Sequence, residues 1–524
     1  MSSQRPVDPI EPLAPVVGDA ATATTSATVI RGGAWNLAGQ VLPQIYTIII
    51  SVLAARILHP SGMGRLSFIA FVEATMILAL TAGLPSSLMR YIGQALGEGH
   101  PDRVRGLLRW AWRIETVAAV IGGSILVVSG LLGVNPASAW VLAGAACFAS
   151  IMQTVPAALL TGAQRWRAAT MVGLVTGTAA VALKVFVLSA GGGIPGLFLV
   201  DAITTTANLV VTGYLCNRVA RELSSTTTTD HVLIRTATRF ALVSSLYALL
   251  DYVIWRRTEL FFLAKYSSSA QIALYSIPFS LVTALLLVQR AIGLGIGPAF
   301  ATLYGARQME RIRSGYARTL RLITTMTLPV TALSLVLGPA VLRLVYGNAY
   351  SEASNVLLIL LATFPIIPLM TVSTSMLFGI ERQWPQVIIG ACAAVANIGL
   401  DLALIPRYNA IGAAIANTIA QLLGSVPLII VGNRAIGGIR WHTLALARTA
   451  LAAAAAGLVA LILVTSLGDL MGLMLGLPAA IVTFALLAVS VGMLSKEDAT
   501  WLETTFGSRL SGRVGVVAHR LGRL

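Results

Sequence analysis

Ten ionisable side chains lie inside long apolar runs of this 524-residue sequence. If such runs cross a membrane, a charge at the bilayer centre costs about 2.5–3.5 kcal/mol on insertion scales. Charged residues there face a wet cavity or pair with one another, so they are the first candidates for binding chemistry. They are Glu73, Glu115, Lys184, Asp201, Asp251, Arg256, Arg257, Glu259, Arg290 and Asp401.

One predicted helix carries a polar stripe formed by Ser276, Ser280, Thr283 and Arg290. No acidic residue lies within one helical turn of Arg290, so its charge has no local counter-ion. A guanidinium group presents a planar fork of donors that suits phosphate. The stripe therefore predicts a site for an anionic ligand, and its apolar surroundings favour an amphiphile with an acidic headgroup.

The preceding helix predicts a second cationic position. Arg256 shares a face with Tyr252 and Glu259, whereas Arg257 points about 100° away. Lys184 either lines the same interior or extends its ammonium group to the bilayer surface. The first helix adds a polar stripe that contains Asn36 and Gln40. The predicted ligand-binding set comprises Arg256, Arg290, Lys184, Arg257, Tyr252, Asn36 and Gln40.

Several of these polar groups have a structural alternative. Asn, Gln, Ser and Thr side chains also join transmembrane helices by hydrogen bonds. Glu115 lies near Arg109 and Arg113, so we expect a local ion pair at the surface there.

The sequence contains no signature of a nucleotide site or of an enzyme. No glycine is followed directly by lysine, so the ATPase phosphate-binding loop is absent. We therefore expect coupling to an ion gradient, with Glu73, Asp251 and Asp401 as candidate acids. There is no Asp-x-Asp pair, the five histidines lie in loops or tails, and the three cysteines lie far apart. We predict no catalytic residues, no cofactor and no metal.

Composition indicates which elements must position these groups. The chain is 56% apolar and 11% charged, whereas soluble domains average about 25% charged residues. Apolar runs of about 20 residues predict an all-α polytopic membrane protein with about fourteen transmembrane helices. The runs are at roughly 34–55, 65–85, 108–132, 138–160, 168–190, 194–217, 240–263, 273–297, 319–342, 354–378, 386–405, 411–432, 444–467 and 473–494.

Basic residues give a predicted orientation. With the N-terminus inside, the cytoplasmic segments hold 27 Lys and Arg residues and the opposite loops hold five. Cytoplasmic loops of membrane proteins carry such an excess. We therefore predict that both termini are cytoplasmic, and the net charge of +16 does not indicate nucleic acid.

The first six predicted spans resemble the next six. Four short matches recur in order at offsets of 209–217 residues, such as GAQR at 162–165 and GIER at 379–382. Because six is even, the repeats are parallel, a plan that places a site between two lobes. The predicted organisation is a disordered cytoplasmic tail (1–30), an N-lobe (31–218), a cytoplasmic linker (219–235), a C-lobe (236–433), two extra spans (434–495) and a cytoplasmic amphipathic tail (496–524).

Short segments carry a resemblance to a known family. They are RGGAW at 31–35, GMGRLS at 62–67, GLP at 83–85, LVYGNAY at 344–350 and the stretch 405–414. Over residues 28–495 the chain resembles polysaccharide flippases of the O-antigen (Wzx) type, in the multidrug/oligosaccharidyl-lipid/polysaccharide exporter superfamily. The resemblance implies two six-helix lobes, a central cavity and alternating access without ATP hydrolysis.

The same resemblance implies a substrate and a location. The substrate would be an oligosaccharide on a polyprenyl diphosphate, and the location the bacterial cytoplasmic membrane. Membrane lipids would be partners, and polysaccharide polymerases or glycosyltransferases are further candidates. A lipid II-type flippase and a multidrug cation exporter of the same superfamily stay open as alternatives. A membrane glycosyltransferase or polymerase is a further alternative that lacks the expected loop and acidic pair.

Overall fold

The computed structural model describes residues 19–81, 83–223, 230–255, 258–286, 296, 300–439 and 443–491. Every regular element in these ranges is helical, as predicted. In a bilayer only helices and closed barrels satisfy all backbone hydrogen-bonding groups internally. The predicted fold class, an all-α polytopic membrane protein, is therefore confirmed.

The first half of the chain forms six helices. They are α1 (Asp19–Thr81), α2 (Leu84–Gly97), α3 (Asp102–Leu131), α4 (Ala137–Gly162), α5 (Trp166–Ser189) and α6 (Gly193–Leu223). Helix α1 contains two transmembrane segments, because His59 has a φ of 59° and breaks the helical path there. It begins inside the region predicted as a disordered tail, 1–30, of which residues 1–18 lie outside the described residues.

Besides a helical stretch at residues 300–305 and a 3-10 turn at Asn348–Tyr350, the second half forms eight helices within the described ranges. They are α7 (His231–Trp255), α8 (Glu259–Tyr266), α9 (Ser269–Leu285), α10 (Met309–Tyr346), α11 (Ala353–Leu361), α12 (Ile367–Gly379), α13 (Trp384–Ala435) and α14 (Thr443–Val491). Asn409, with a φ of 52°, breaks α13, and Gly468, with a φ of 78°, breaks α14. The predicted amphipathic tail, 496–524, lies outside these ranges.

The helices agree with the predicted number of membrane passes. Among the described residues, eight helices are long and apolar enough to cross a membrane. Three of them, α1, α13 and α14, turn back once at the breaks just given. The remaining passes are made by helices in shorter pieces, namely α7 with α8, α9, and α11 with α12. The chain is a multi-pass membrane protein with about fourteen passes.

The two halves touch at one end through helix α1 and the segment after α10. The Arg56 guanidinium donates to the carbonyl oxygens of Val345, at 2.7 Å, and of Leu344. The Tyr350 hydroxyl donates to the Ala55 carbonyl oxygen at 3.0 Å. Burial raises the pKa of the Tyr350 phenol, so this donor keeps its proton at neutral pH. We call this closure the Arg56 end.

The halves also touch at the opposite end, through α2 and α7. The Ser87 hydroxyl donates to the Ala237 carbonyl oxygen at 2.8 Å, and the Gly83 N–H donates to the Ser245 hydroxyl at 3.0 Å. A methyl group at Gly83 would collide with the Ala241 backbone, so only glycine permits this approach. We call this closure the Ser87 end. The two halves are therefore in contact at both the Arg56 end and the Ser87 end.

Candidate functional site

A cavity of about 570 Å³ lies between the two closures. Helices α1, α5 and α6 of the first half and α7 and α9 of the second half contribute its walls. Its polar lining residues are Gln44, Tyr46, Thr47, Ser51, Ser67, Glu73, Lys184, Asp201, Tyr252, Ser276, Ser280 and Thr283. A volume of this size suits a ligand headgroup.

Three charged side chains line this cavity among the described residues: Glu73, Lys184 and Asp201. The Lys184 ammonium nitrogen lies 2.6 Å from an Asp201 carboxylate oxygen, and these side chains are 19% and 31% exposed. Lys184 projects from α5 and Asp201 from α6. Glu73, on α1, is close enough to interact electrostatically with both Lys184 and Asp201. The sequence left two positions open for Lys184, and the structure places it in the cavity wall.

Tyr252 joins the two halves at the cavity wall. Its hydroxyl lies 2.6 Å from the Thr75 hydroxyl, and its ring stacks on Phe71 with ring centroids 6.3 Å apart. The predicted stripe on α9 also faces the cavity, because Ser276, Ser280 and Thr283 all line it. These side chains supply hydroxyl groups that suit a sugar or phosphate ligand.

Several predicted site residues cannot be placed. Arg256, Arg257 and Arg290 lie outside the described residues, as do the side chains of Asn36, Gln40 and Asp251. Pro43 and Thr47, which continue the stripe predicted from Asn36 and Gln40, line the cavity. The roles predicted for all these residues stay predictions.

A second polar site lies inside the second half and is fully buried. One Glu259 carboxylate oxygen accepts hydrogen bonds from the Asn417 amide at 2.7 Å and the Asn397 amide at 3.3 Å. The Gln421 amide donates to the Asn417 amide oxygen at 2.8 Å and accepts from the Thr363 hydroxyl at 2.7 Å. Helices α8, α11 to α12 and α13 thus meet through one hydrogen-bond network, which we call the buried acid cluster.

Asp401 completes the buried acid cluster. Its side chain is 0% exposed, and within the described ranges neither carboxylate oxygen has a hydrogen-bond partner. The second oxygen of Glu259 has none either, and the two acids interact electrostatically. No basic side chain in the described part of the chain pairs with either acid. Burying two carboxyl groups side by side is costly when both are ionised.

A small cavity of about 30 Å³ lies between the two sites. Phe279 and Thr283 bound it on the side of the central cavity, and Asn417 and Gln421 bound it on the side of the buried acid cluster. This is room for about one water molecule.

Two sequence-based expectations were wrong. Glu115 does not form a surface ion pair with Arg109 or Arg113; it is 0% exposed and lies beside Thr154. Glu259 does not share a face with Tyr252, because its carboxylate contacts Asn397 and Asn417 and does not line the cavity that Tyr252 lines. Tyr252 therefore faces the central cavity while Glu259 faces α13.

The sequence-based search also missed contributors to both sites. Gln44, Tyr46 and Ser67 line the cavity but were not singled out. The only signal for them is a polar side chain beside the predicted stripe of the first helix. Nothing in the sequence links Asn417 and Gln421 of the buried acid cluster to Glu259.

The chain matches two family models. A model described as "Polysaccharide biosynthesis protein" matches residues 29–304, which is more than half of the chain. A model described as "Lipid II flippase MurJ" matches residues 260–483. A curated relative, "Probable flippase AglR" of Haloferax volcanii, is 22% identical over 328 residues, 59% of this chain. That match spans 66% of the relative's length, slightly less than two thirds.

Solved structures share the fold. The lipid II flippase MurJ in an inward closed conformation aligns with a TM-score of 0.68 at 12% identity, covering 87% of this chain and 98% of that one. An inward-facing multidrug resistance MATE family transporter of the MOP superfamily aligns with a TM-score of 0.62 at 16% identity, covering 75% and 94%. At these identities the likeness concerns the fold.

Proposed function

The chain belongs to the polysaccharide biosynthesis protein family, and we propose that it is a flippase for a polyprenyl-diphosphate-linked oligosaccharide. The observation that carries this proposal is the central cavity between the two halves. It combines a cationic side chain, Lys184, with a wall of hydroxyl groups. An ammonium group binds phosphate as a point charge, and hydroxyl groups bind sugars by hydrogen bonds.

Transport would proceed by alternating access. The closures at the Arg56 end and the Ser87 end each consist of a few hydrogen bonds between the halves. An intramolecular hydrogen bond contributes a net stabilisation of only about 0.5–1.5 kcal/mol. Either closure can therefore open at a small cost in free energy. Opening one end while the other stays closed moves the headgroup across, with the lipid tail remaining in the bilayer.

Coupling to an ion gradient is proposed to involve Asp401 and its partner Glu259 in the buried acid cluster. Binding of a proton or cation there neutralises a charge that burial makes expensive. The cavity of about 30 Å³ beside Asn417 and Gln421 lies between this cluster and Thr283 of the central cavity. Glu73, in the cavity wall, and Asp251 are the other candidate acids.

Location and orientation follow the sequence-based prediction. We propose a bacterial cytoplasmic membrane with both termini cytoplasmic, because basic residues favour that side by 27 to five. In this setting polysaccharide polymerases or glycosyltransferases would receive or supply the substrate. We propose no catalytic reaction for the chain itself.

A lipid II-type flippase is the second candidate, and the match of the MurJ family model to residues 260–483 favours it. A multidrug cation exporter is the third candidate, because Glu73 and Asp201 also line the cavity. Thermal unfolding of the purified protein separates the three. A ligand that binds the folded state raises its stability by about 2.7 kcal/mol at one hundred times its dissociation constant.

We expect a polyprenyl-diphosphate oligosaccharide to raise the unfolding temperature more than lipid II does. A cationic drug should leave the temperature unchanged. The largest increase with lipid II would replace the proposal by the second candidate. An increase with the cationic drug alone would remove both flippase assignments.

A further inference from the structure

The Lys184 ammonium group in the central cavity already forms an ion pair with a carboxylate of the protein, that of Asp201. The Lys184 ammonium nitrogen lies 2.6 Å from an Asp201 oxygen, and both residues line the cavity. Glu73 lines the same space. When all three are ionised, this group carries a net charge of −1. An anionic headgroup therefore meets a cation that already has a carboxylate partner.

We propose that Asp201 is a positioning residue that competes with the substrate diphosphate for Lys184. This inference rests on the proposed function. In the empty cavity Asp201 occupies the place of a phosphate oxygen. When the substrate binds, the ammonium group turns to the diphosphate, and the freed Asp201 carboxylate repels it. The competition lowers the affinity of the cavity for the diphosphate and speeds its release on the far side.

The geometry of the pair suits such an exchange. The two side chains are 19% and 31% exposed, so the ion pair is partly solvated and only weakly stabilising. Lysine carries a compact charge with three donors on a flexible stem, so it can change partner without movement of the backbone. Asp201 and Lys184 lie on neighbouring helices, α6 and α5, that pack against each other. The exchange therefore needs no rearrangement of the lobe.

A purely structural role for the pair predicts something different. If the ion pair only joins α5 to α6, Asp201→Asn should lower the yield of folded protein and weaken or leave unchanged the binding of a diphosphate. Competition predicts the opposite sign, because removal of the competing charge leaves Lys184 free for the ligand.

The test is the dissociation constant of farnesyl diphosphate for the full-length protein purified in detergent. We expect Asp201→Asn to bind about three- to tenfold more tightly than the wild type. The conservative Asp201→Glu should return the affinity close to the wild-type value. Lys184→Ala should bind at least about tenfold more weakly. In the Lys184→Ala background, Asp201→Asn should tighten binding much less than it does in the wild type, because no shared cation remains.

Two matched controls separate the pair from general charge effects. Asp469→Asn breaks a similar ion pair, to Arg343, that lies outside the cavity lining, and should leave the affinity unchanged. Glu73→Gln removes a negative charge from the same cavity without breaking an ion pair, and should tighten binding less than Asp201→Asn does.

The outcomes separate this inference from the proposed function. Weaker Lys184→Ala binding together with unchanged or weaker Asp201→Asn binding would overturn only the competition. Equal tightening by Glu73→Gln and Asp201→Asn would also overturn it, since the ion pair would then have no special part. If Lys184→Ala binds farnesyl diphosphate as tightly as the wild type does, or if the wild type does not bind it, the cavity has no cationic binding site. That result would contradict the proposed function itself.

Discussion

Asp201 and Asp401 are both acidic residues inside transmembrane helices, but their surroundings differ. Asp201 lines the central cavity and pairs with Lys184 at 2.6 Å. Asp401 is 0% exposed and interacts with a second acid, Glu259. A carboxylate beside a cation is suited to exchange with an anionic substrate. A carboxyl group beside another carboxyl group is suited to hold a proton or a cation.

This difference gives a prediction for the buried acid cluster. We expect Asp401→Asn to fold with at least wild-type stability, because an amide has no charge to desolvate. Flipping by this variant should no longer depend on an imposed ion gradient. The measurement is the flipping rate in vesicles with and without the gradient, with Asp469→Asn as the matched control. Gradient dependence that survives in Asp401→Asn combined with Glu259→Gln would contradict the assignment.

The sequence-based prediction of an anionic substrate site depends most on Arg290. We expect Arg290→Ala to reach near-normal amounts in the membrane and yet fail to complement a strain that lacks its flippase. Loss of a charge-assisted contact costs about 2–5 kcal/mol when the group is desolvated. Arg290→Lys should restore function only in part, because it keeps the charge without the fork. Reduced abundance with normal activity per molecule would assign Arg290 a structural role.

Side-chain type and depth along a run predicted part of the candidate site. The α9 stripe of Ser276, Ser280 and Thr283 faces the cavity as helical spacing predicts. The choice between a cavity and a surface position for Lys184 could not be made, because it depends on where Asp201 of the next helix lies. The buried position of Glu115 depends in the same way on the packing of α4 against α3.

At the scale of helices, the sequence predicted the breaks at His59, Asn409 and Gly468 but missed the one before Glu259. The apolar runs predicted the passes, because a run of about 20 residues is what spans the hydrocarbon core. The turn at Thr258 was not predicted, and extrapolation of one helix through it placed Glu259 on the wrong face. A break inside an apolar run leaves no mark in the hydrophobic pattern.

The contact of α2 with α7 gives a prediction for the Ser87 end. Gly83→Ala should prevent full closure there, because its methyl group would meet the backbone of Ala241. A cysteine introduced as Ser87→Cys should then react several-fold faster with a membrane-impermeant maleimide. Gly97→Ala is the matched control on the same helix, since a methyl group there meets nothing within 4 Å. Equal labelling of the two variants would contradict the proposed closure.

At the scale of the whole molecule, the internal repeat explains a contact in the middle of the cavity. The Ser276 hydroxyl donates to the Ser67 hydroxyl at 3.0 Å, and these residues are 209 positions apart. The same offset relates the loops that precede them in the two repeats. Corresponding residues of parallel repeats meet where an axis along the membrane normal passes between them. The Ser67–Ser276 contact is therefore where the predicted parallel repeat would place its axis, at the wall of the central cavity.

The orientation of the molecule gives a further prediction. Reporter fusions placed after Gly133 and after Gly468 should both be external, because the basic residues favour cytoplasmic termini. Gly468 lies at the break of α14, which gives a defined turn for the fusion. A cytoplasmic signal from either fusion would change the predicted orientation or the number of passes before it.

The most direct test of the account is the rate at which purified protein flips a polyprenyl-diphosphate-linked oligosaccharide across vesicle membranes. We expect the wild type to translocate this substrate rapidly. We expect Lys184→Ala to translocate it at a rate close to that of protein-free vesicles. Asp469→Asn should flip at the wild-type rate, because its ion pair lies outside the central cavity. Equal rates with the wild type and with protein-free vesicles, while the protein is folded and correctly inserted, would contradict the proposed function.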